Sequence, residues 1–393
     1  MTLNKTLSTL ILMSMASPLA LNMILPLLPV LAEHFQVSHS LIQLSVSLYL
    51  IALAVGQLSV GLFINAIGQS RTILLGLLLF LIGGVLTWAD VNVYCLIFSR
   101  ILQGLGGAVL ISNARSLLVL SYGKEQSSRL MGYIVMAIAL SQSIAPLLGS
   151  YLNSYFGWAS IGLLSAIQAV ILIVAFKKVI ESHIKTTTRL GFSETLTQYR
   201  ELLLNTQFRA YTGANTLIAC CFYIFVASAP YLIPNTSHDP ELFGYWFICI
   251  SASFLVGGFC STRLNKIWQV NKTLNVGNII CVTGALALLF TQLAFTASYA
   301  MLFLPMSIIT FGRGISQPSY QSAGVGALAS QTATAAGLMG FLQLSSGAFI
   351  SQLAPWLITI HSSVFAICIL VFCTTAALWH FCLYKTLKPD ALL

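Results

Sequence analysis

The sequence predicts an all-α membrane protein of twelve transmembrane helices in two six-helix halves, and three observations predict it. Only 7% of the 393 residues are charged and 58% are hydrophobic, whereas a soluble domain carries about 25% charged residues. Apolar runs of about 18 to 25 residues recur along the whole length, each long enough to cross a hydrocarbon layer of about 30 Å as a helix. Lysine and arginine gather in alternate connections, the distribution that the positive-inside rule requires.

The first span, 7–32, follows Lys5. It is longer than the apolar region of a secretory signal and leads into further spans without a cleavage site, so it is read as a membrane helix. Spans 42–65, 72–90, 93–118, 129–152 and 158–178 complete the first half, residues 1–178. A polar stretch, 179–208, forms the cytoplasmic linker. Spans 209–233, 243–262, 274–293, 296–322, 333–356 and 362–384 fill the second half, 209–393. With both termini in the cytoplasm, every lysine and arginine except Arg100, Arg115 and Arg313 falls in a cytoplasmic segment. An odd number of spans would break that pattern. The expected location is the bacterial inner membrane, with the bilayer as the first partner.

Composition also excludes functions. The net charge of +9 lies in short connections rather than in a folded basic domain, which argues against nucleic-acid binding. The nine cysteines sit singly or as Cys220-Cys221 within apolar runs, without metal-site spacing or a disulfide framework. No nucleophile has a base nearby, and all six histidines lie at helix ends or in polar connections. The expectation is therefore no enzyme, no metal and no cofactor. Six plus six spans around a cytoplasmic linker point to a duplicated transporter, expected to act as a monomer on a small molecule.

After span two the chain reads Gly61-Leu-Phe-Ile-Asn65-Ala-Ile-Gly68-Gln-Ser-Arg71. Such glycines suit close helix packing and a tight reversal. Span four contains Arg100-Ile-Leu-Gln103-Gly104-Leu-Gly106-Gly107-Ala108, and span five contains Ala145-Pro146-Leu-Leu-Gly149-Ser150. In their order, and together with Leu25-Pro26-Leu-Leu-Pro29 in span one, these segments resemble the twelve-span drug:proton antiporter branch of the major facilitator superfamily. Ala227-Ser228-Ala229-Pro230-Tyr231, Phe243-Gly244 and Gly340-Phe341-Leu342-Gln343 are similar to the Bcr/CflA efflux group. The resemblance implies export, protons as a coupling ion, a charged latch after span two, and conformational roles for the three motifs.

Departures from the pattern are informative. Asn65 and Ala66 stand where the family latch has its acid and arginine, and Gln69-Ser70 replace two basic residues, which implies a weaker latch. Asn22 stands where the group has an aspartate taken to be the proton carrier, and an amide carries no proton. The nine acids, Glu33, Asp90, Glu125, Glu181, Glu194, Glu201, Asp239, Glu241 and Asp390, all lie at span ends or in connections.

Three arginines therefore remain within spans without a carboxylate. An arginine there costs about 2.5 to 3.5 kcal/mol on insertion scales and normally faces a cavity or a partner. Arg100 and Arg115 are about 22 Å apart along one helix, and Arg313 falls toward the inner part of span ten. Each can bond carbonyls, amides or lipid phosphate. Together they can also make a positive cavity in which a carboxylate- or phosphate-bearing substrate supplies the missing charge. Asn22, Gln103, Asn113, Gln142, Asn215, Tyr223, Tyr231, Tyr245, Trp246, Gln317 and Gln343 are candidate lining residues. The sequence leads to an exporter of a small organic compound, such as an anionic metabolite or siderophore. A proton-coupled drug exporter and a non-transporting receptor that keeps the fold are the alternatives.

Overall fold

A computed structural model describes residues 2–179, 192–233, 240–295, 298–328, 331–361 and 363–387. They are helical almost throughout: α1 Thr2–Met23, α2 Leu28–His34, α3 His39–Ile67, α4 Gln69–Trp88, α5 Val93–Phe156, α6 Ser160–Val179, α7 Phe192–Leu204, α8 Thr206–Leu232, α9 Pro240–Ile267, α10 Val270–Ala294, α11 Tyr299–Val325, α12 Thr332–Ile360 and α13 Val364–Leu387.

Local chemistry sets many of the boundaries. Ser38, Asn92, Asn205 and Ser298 precede α3, α5, α8 and α11, and each side chain accepts a hydrogen bond from the amide three residues on. That satisfies one of the donors left over at a helix start. The first predicted span is interrupted: α1 ends at Met23, and a 3-10 turn at Leu25–Leu27 leads into α2. Pro26 and Pro29 remove two amide donors there, so the α-helical ladder cannot run through. Gly68, at φ 88°, makes the reversal between α3 and α4 that its place in the sequence predicts.

α5 covers two predicted spans in one helical stretch of 64 residues. Were it straight, Gly107 and Gly149 would be about 63 Å apart. Instead Gly107 packs on Ser17 and Gly149 on the Met23 carbonyl, positions about 9 Å apart along α1. Leu118 and Ile134 also share one apolar cluster with Leu10 and Met13. The chain therefore doubles back between Leu118 and Ile134, giving two antiparallel legs in place of a single rod.

Ten segments among the described residues are long and apolar enough to cross a membrane. The return leg of α5 and α12 bring the membrane-length segments to the expected twelve. α7 is additional. It falls inside the stretch read as linker, with Leu202 packed among Phe208, Ala335, Leu338 and Met339. Its Gln198 accepts a hydrogen bond from Thr334 at 2.6 Å, and partial burial raises the Tyr199 phenol above its ordinary pKa.

The helices fall into two compact units, α1–α6 and α7–α13, with the start of α9 through Gly244 grouping with the first. In the first unit α5 is the central element. A methyl on Gly104 would sit 2.6 Å from the Tyr49 carbonyl oxygen of α3, one on Gly106 2.5 Å from the Gly76 oxygen of α4, and one on Gly107 2.5 Å from Ser17 Cβ of α1. Three faces of one helical turn thus touch three neighbours, an approach that small residues permit. In the second unit Tyr211, Ala214, Ile218, Leu274, Tyr320 and Ala376 pack α8, α10, α11 and α13 together.

Candidate functional site

Each unit holds one membrane arginine beside a glutamine on the same helix. In the first unit Arg100 is 1% exposed. Its Nη1 donates to Gln103 Oε1 at 2.5 Å and its Nη2 to the Ala20 carbonyl of α1 at 3.0 Å. The guanidinium carbon lies 4.4 Å from the centre of the Tyr49 ring, a cation–π contact that offsets part of the desolvation. Tyr49 is held in turn by Ser17, donating to its carbonyl at 3.0 Å. Arginine has no acceptor, so the Gln103 oxygen must face it and the amide nitrogen must turn away. Among the described residues neither that nitrogen nor Arg100 Nε, both buried, has an acceptor. Both ends of the Arg100 fork are occupied by protein oxygens.

The second unit differs at this point. Arg313 is half-buried, and its Nε donates to Gln317 Oε1 at 2.9 Å. Its guanidinium carbon lies 4.7 Å from the Phe222 ring centre and 5.3 Å from that of Phe254. Neither Nη1 nor Nη2 has an acceptor among the described residues. Arg313 lies about 21 Å from the start of α11 and about 18 Å from its end. It is close to the middle of the helix. Beside it Asn215 donates to Gln343 Oε1 at 2.8 Å, Gln343 also bonds Tyr223, and the Tyr223 ring covers Gly347.

The other predicted positions each have their own surroundings. Asn22 is 2% exposed and donates to the Pro18 carbonyl at 2.7 Å. Asn113 is buried, donates to Val109 at 2.9 Å and accepts from Gln69 at 3.2 Å. That pairing makes Asn113 a tie between α4 and α5. Arg115 lies at the surface of its unit and Gln142 is half-buried. Gln317 is 7% exposed. Pro146 and Ala145 are buried, and the Pro146 carbonyl accepts from Ser150 at 2.9 Å. Tyr231 is half-buried, Trp246 stacks on Tyr299 at 6.4 Å, and Tyr245 is exposed.

Among the described residues Gly61 has no atom within 4 Å of the place where a side chain would begin. The turn itself is made at Gly68. Arg71 is exposed, and the Asn65 side chain lies outside the described residues.

Sequence reasoning missed Tyr49, Phe222 and Phe254, which cover the two guanidiniums, and Gln43, whose buried amide has no partner for either atom among the described residues. Nothing in their spacing distinguishes them from packing residues. All three aromatics reach the arginines from other helices.

Comparison with known families matches residues 10–352 to the Major Facilitator Superfamily. The chain is similar to the chloramphenicol resistance protein CraA of Acinetobacter baumannii, 24% identical over 75% of this chain and 72% of that protein. It is 26% identical to a bicyclomycin resistance protein homolog of Haemophilus influenzae over 91% of this chain and 92% of the relative. A chloramphenicol resistance protein of Pseudomonas aeruginosa is 24% identical over 75% and 70% of the two chains. The family match covers most of the sequence and coincides with the membrane helices, so this chain is a multi-pass membrane transporter that belongs to the Major Facilitator Superfamily.

Proposed function

We propose that the protein exports a small organic anion, such as a carboxylate-rich siderophore, across the bacterial inner membrane by alternating access of its two halves. The observation that carries this reading is the charge imbalance within the spans. Arg100, Arg115 and Arg313 lie in membrane helices, and none makes an ion pair with a carboxylate among the described residues. Both Nη nitrogens of Arg313 lack an acceptor among the described residues, in a partly accessible position. A desolvated cation of this kind requires a counter-charge, and a substrate carboxylate or phosphate is one that arrives and leaves with each cycle.

Proton-coupled drug efflux is the second reading, supported by the resistance proteins among the relatives. It requires a titratable group in place of Asn22, and Glu33, exposed at the end of α2, is the candidate. Purified protein in proteoliposomes, assayed with anionic, neutral and cationic compounds with and without a pH jump, separates the two. Anion movement supports the first reading. Movement of cations alone, driven by the proton gradient, would overturn it, and no movement of any compound would favour a receptor.

A further inference from the structure

We infer that Arg313 and Gln317 form the receptor for an oxyanion carried on an aromatic ring, and that the walls of this receptor are Phe222, Tyr223 and Phe254. The inference rests on the anion reading above and names the substrate class and the binding pair.

The hydrogen-bond geometry is one-sided. Arg313 Nε is satisfied by Gln317 Oε1, which leaves the Nη1–Nη2 end of the guanidinium as its unused edge. Arginine only donates, so the Gln317 oxygen must face it and the Gln317 NH2 must point outward. The free edge of Arg313 therefore presents N–H donors only. Two coplanar oxygens on one atom satisfy it well, because the edge of a guanidinium matches a carboxylate or phosphate in bidentate fashion.

The surroundings select what the oxyanion is attached to. Phe222 and Phe254 approach the guanidinium carbon at 4.7 and 5.3 Å. Phe222 also contacts Tyr223 and Phe247 edge-to-face, with ring centres 5.9 and 6.2 Å apart. Phe222, Tyr223 and Phe254 are each half-buried, so part of each ring remains open for contact. Aromatic walls favour a flat, polarisable ligand, through offset or edge-to-face packing. The frame behind them is rigid: a methyl on Gly314 would sit 3.0 Å from Gly257 Cα, so α11 and α9 meet backbone to backbone one residue after Arg313. That contact fixes the distance between Arg313 and Phe254. Arg100 lacks these properties, since its fork is occupied and it is almost wholly buried.

The test uses the full chain in proteoliposomes. The probes are benzoate and naphthoate, their cyclohexyl and aliphatic carboxylate counterparts, phenyl and naphthyl phosphate, and the uncharged methyl esters. Three variants accompany the native protein: Arg313→Ala, Gln317→Glu and Phe222→Leu. Gln317→Glu keeps a partner for Arg313 and so preserves folding, but it fills the receptor with its own carboxylate. We expect Arg313→Ala and Gln317→Glu each to lower aryl-oxyanion transport at least tenfold per folded molecule. Phe222→Leu should reduce the preference for aryl over aliphatic acids. The carboxylate and phosphate arms identify which oxyanion is taken. Full anion transport by folded Gln317→Glu and Arg313→Ala overturns the inference and leaves the anion reading standing. Native protein that moves only uncharged or cationic compounds overturns both.

Discussion

Arg100 of α5 holds the carbonyl oxygen of Ala20 in α1 at 3.0 Å, so a membrane cation acts as a clasp between two helices that are 80 positions apart in sequence. The same side chain binds Gln103 and lies over Tyr49 of α3. Three segments of the first unit thus converge on one guanidinium.

That convergence predicts a stability effect. Arg100→Ala removes partners from the Ala20 carbonyl and the Gln103 oxygen, and orphaned buried groups cost about 1–3 kcal/mol each. The expected outcome is a lower melting temperature and less monodisperse protein in detergent. Arg100→Lys should recover part of this, because an ammonium reaches one acceptor in place of a bidentate pair. Thermal unfolding followed by size-exclusion chromatography measures it. Unchanged melting would show that the clasp carries no stability.

Asn22 lies on α1 two residues beyond that carbonyl and is bonded to Pro18. Asn22→Asp introduces into this buried position of α1 a carboxylate that can bind a proton. Transport by the variant should depend on the pH gradient differently from transport by the native protein, read as the ratio of initial rates with and without a pH jump. An identical ratio in folded variant and native protein would place this position outside the mechanism.

The glycines offer an internal comparison. A side chain at Gly107 would collide with Ser17, whereas Gly61 faces open space. Gly107→Val should cost about 1–3 kcal/mol through overpacking and reduce the yield of folded protein. Gly61→Ala should match the native protein within measurement error. Equal behaviour of the two would refute the packing of α5 against α1.

Orientation is tested by labelling. Cysteines introduced beside Asp90 and Asp239 should react with a membrane-impermeant reagent from outside, and one beside Lys185 should not, because the proposed outer loops lack lysine and arginine. Reaction at Lys185 in sealed cells would reverse the topology.

The membrane class, the number of spans and the absence of acids from their interiors were legible in the sequence, because length, hydropathy and charge are properties of a chain without coordinates. The Gly68 turn was legible for a related reason: it depends on residues close together along the chain. Motif spacing likewise pointed to the superfamily. The fates of the three arginines could not be read in this way. Arg100 and Arg313 look alike in sequence, each followed within one helical turn by a glutamine. Only tertiary contacts separate them, since Ala20 and Tyr49 occupy the first from other helices, whereas Phe222 and Phe254 flank the second and leave its fork without an acceptor. Hydrogen-bond satisfaction of a buried charge depends on what neighbouring helices bring to it, and no local spacing along the chain encodes that.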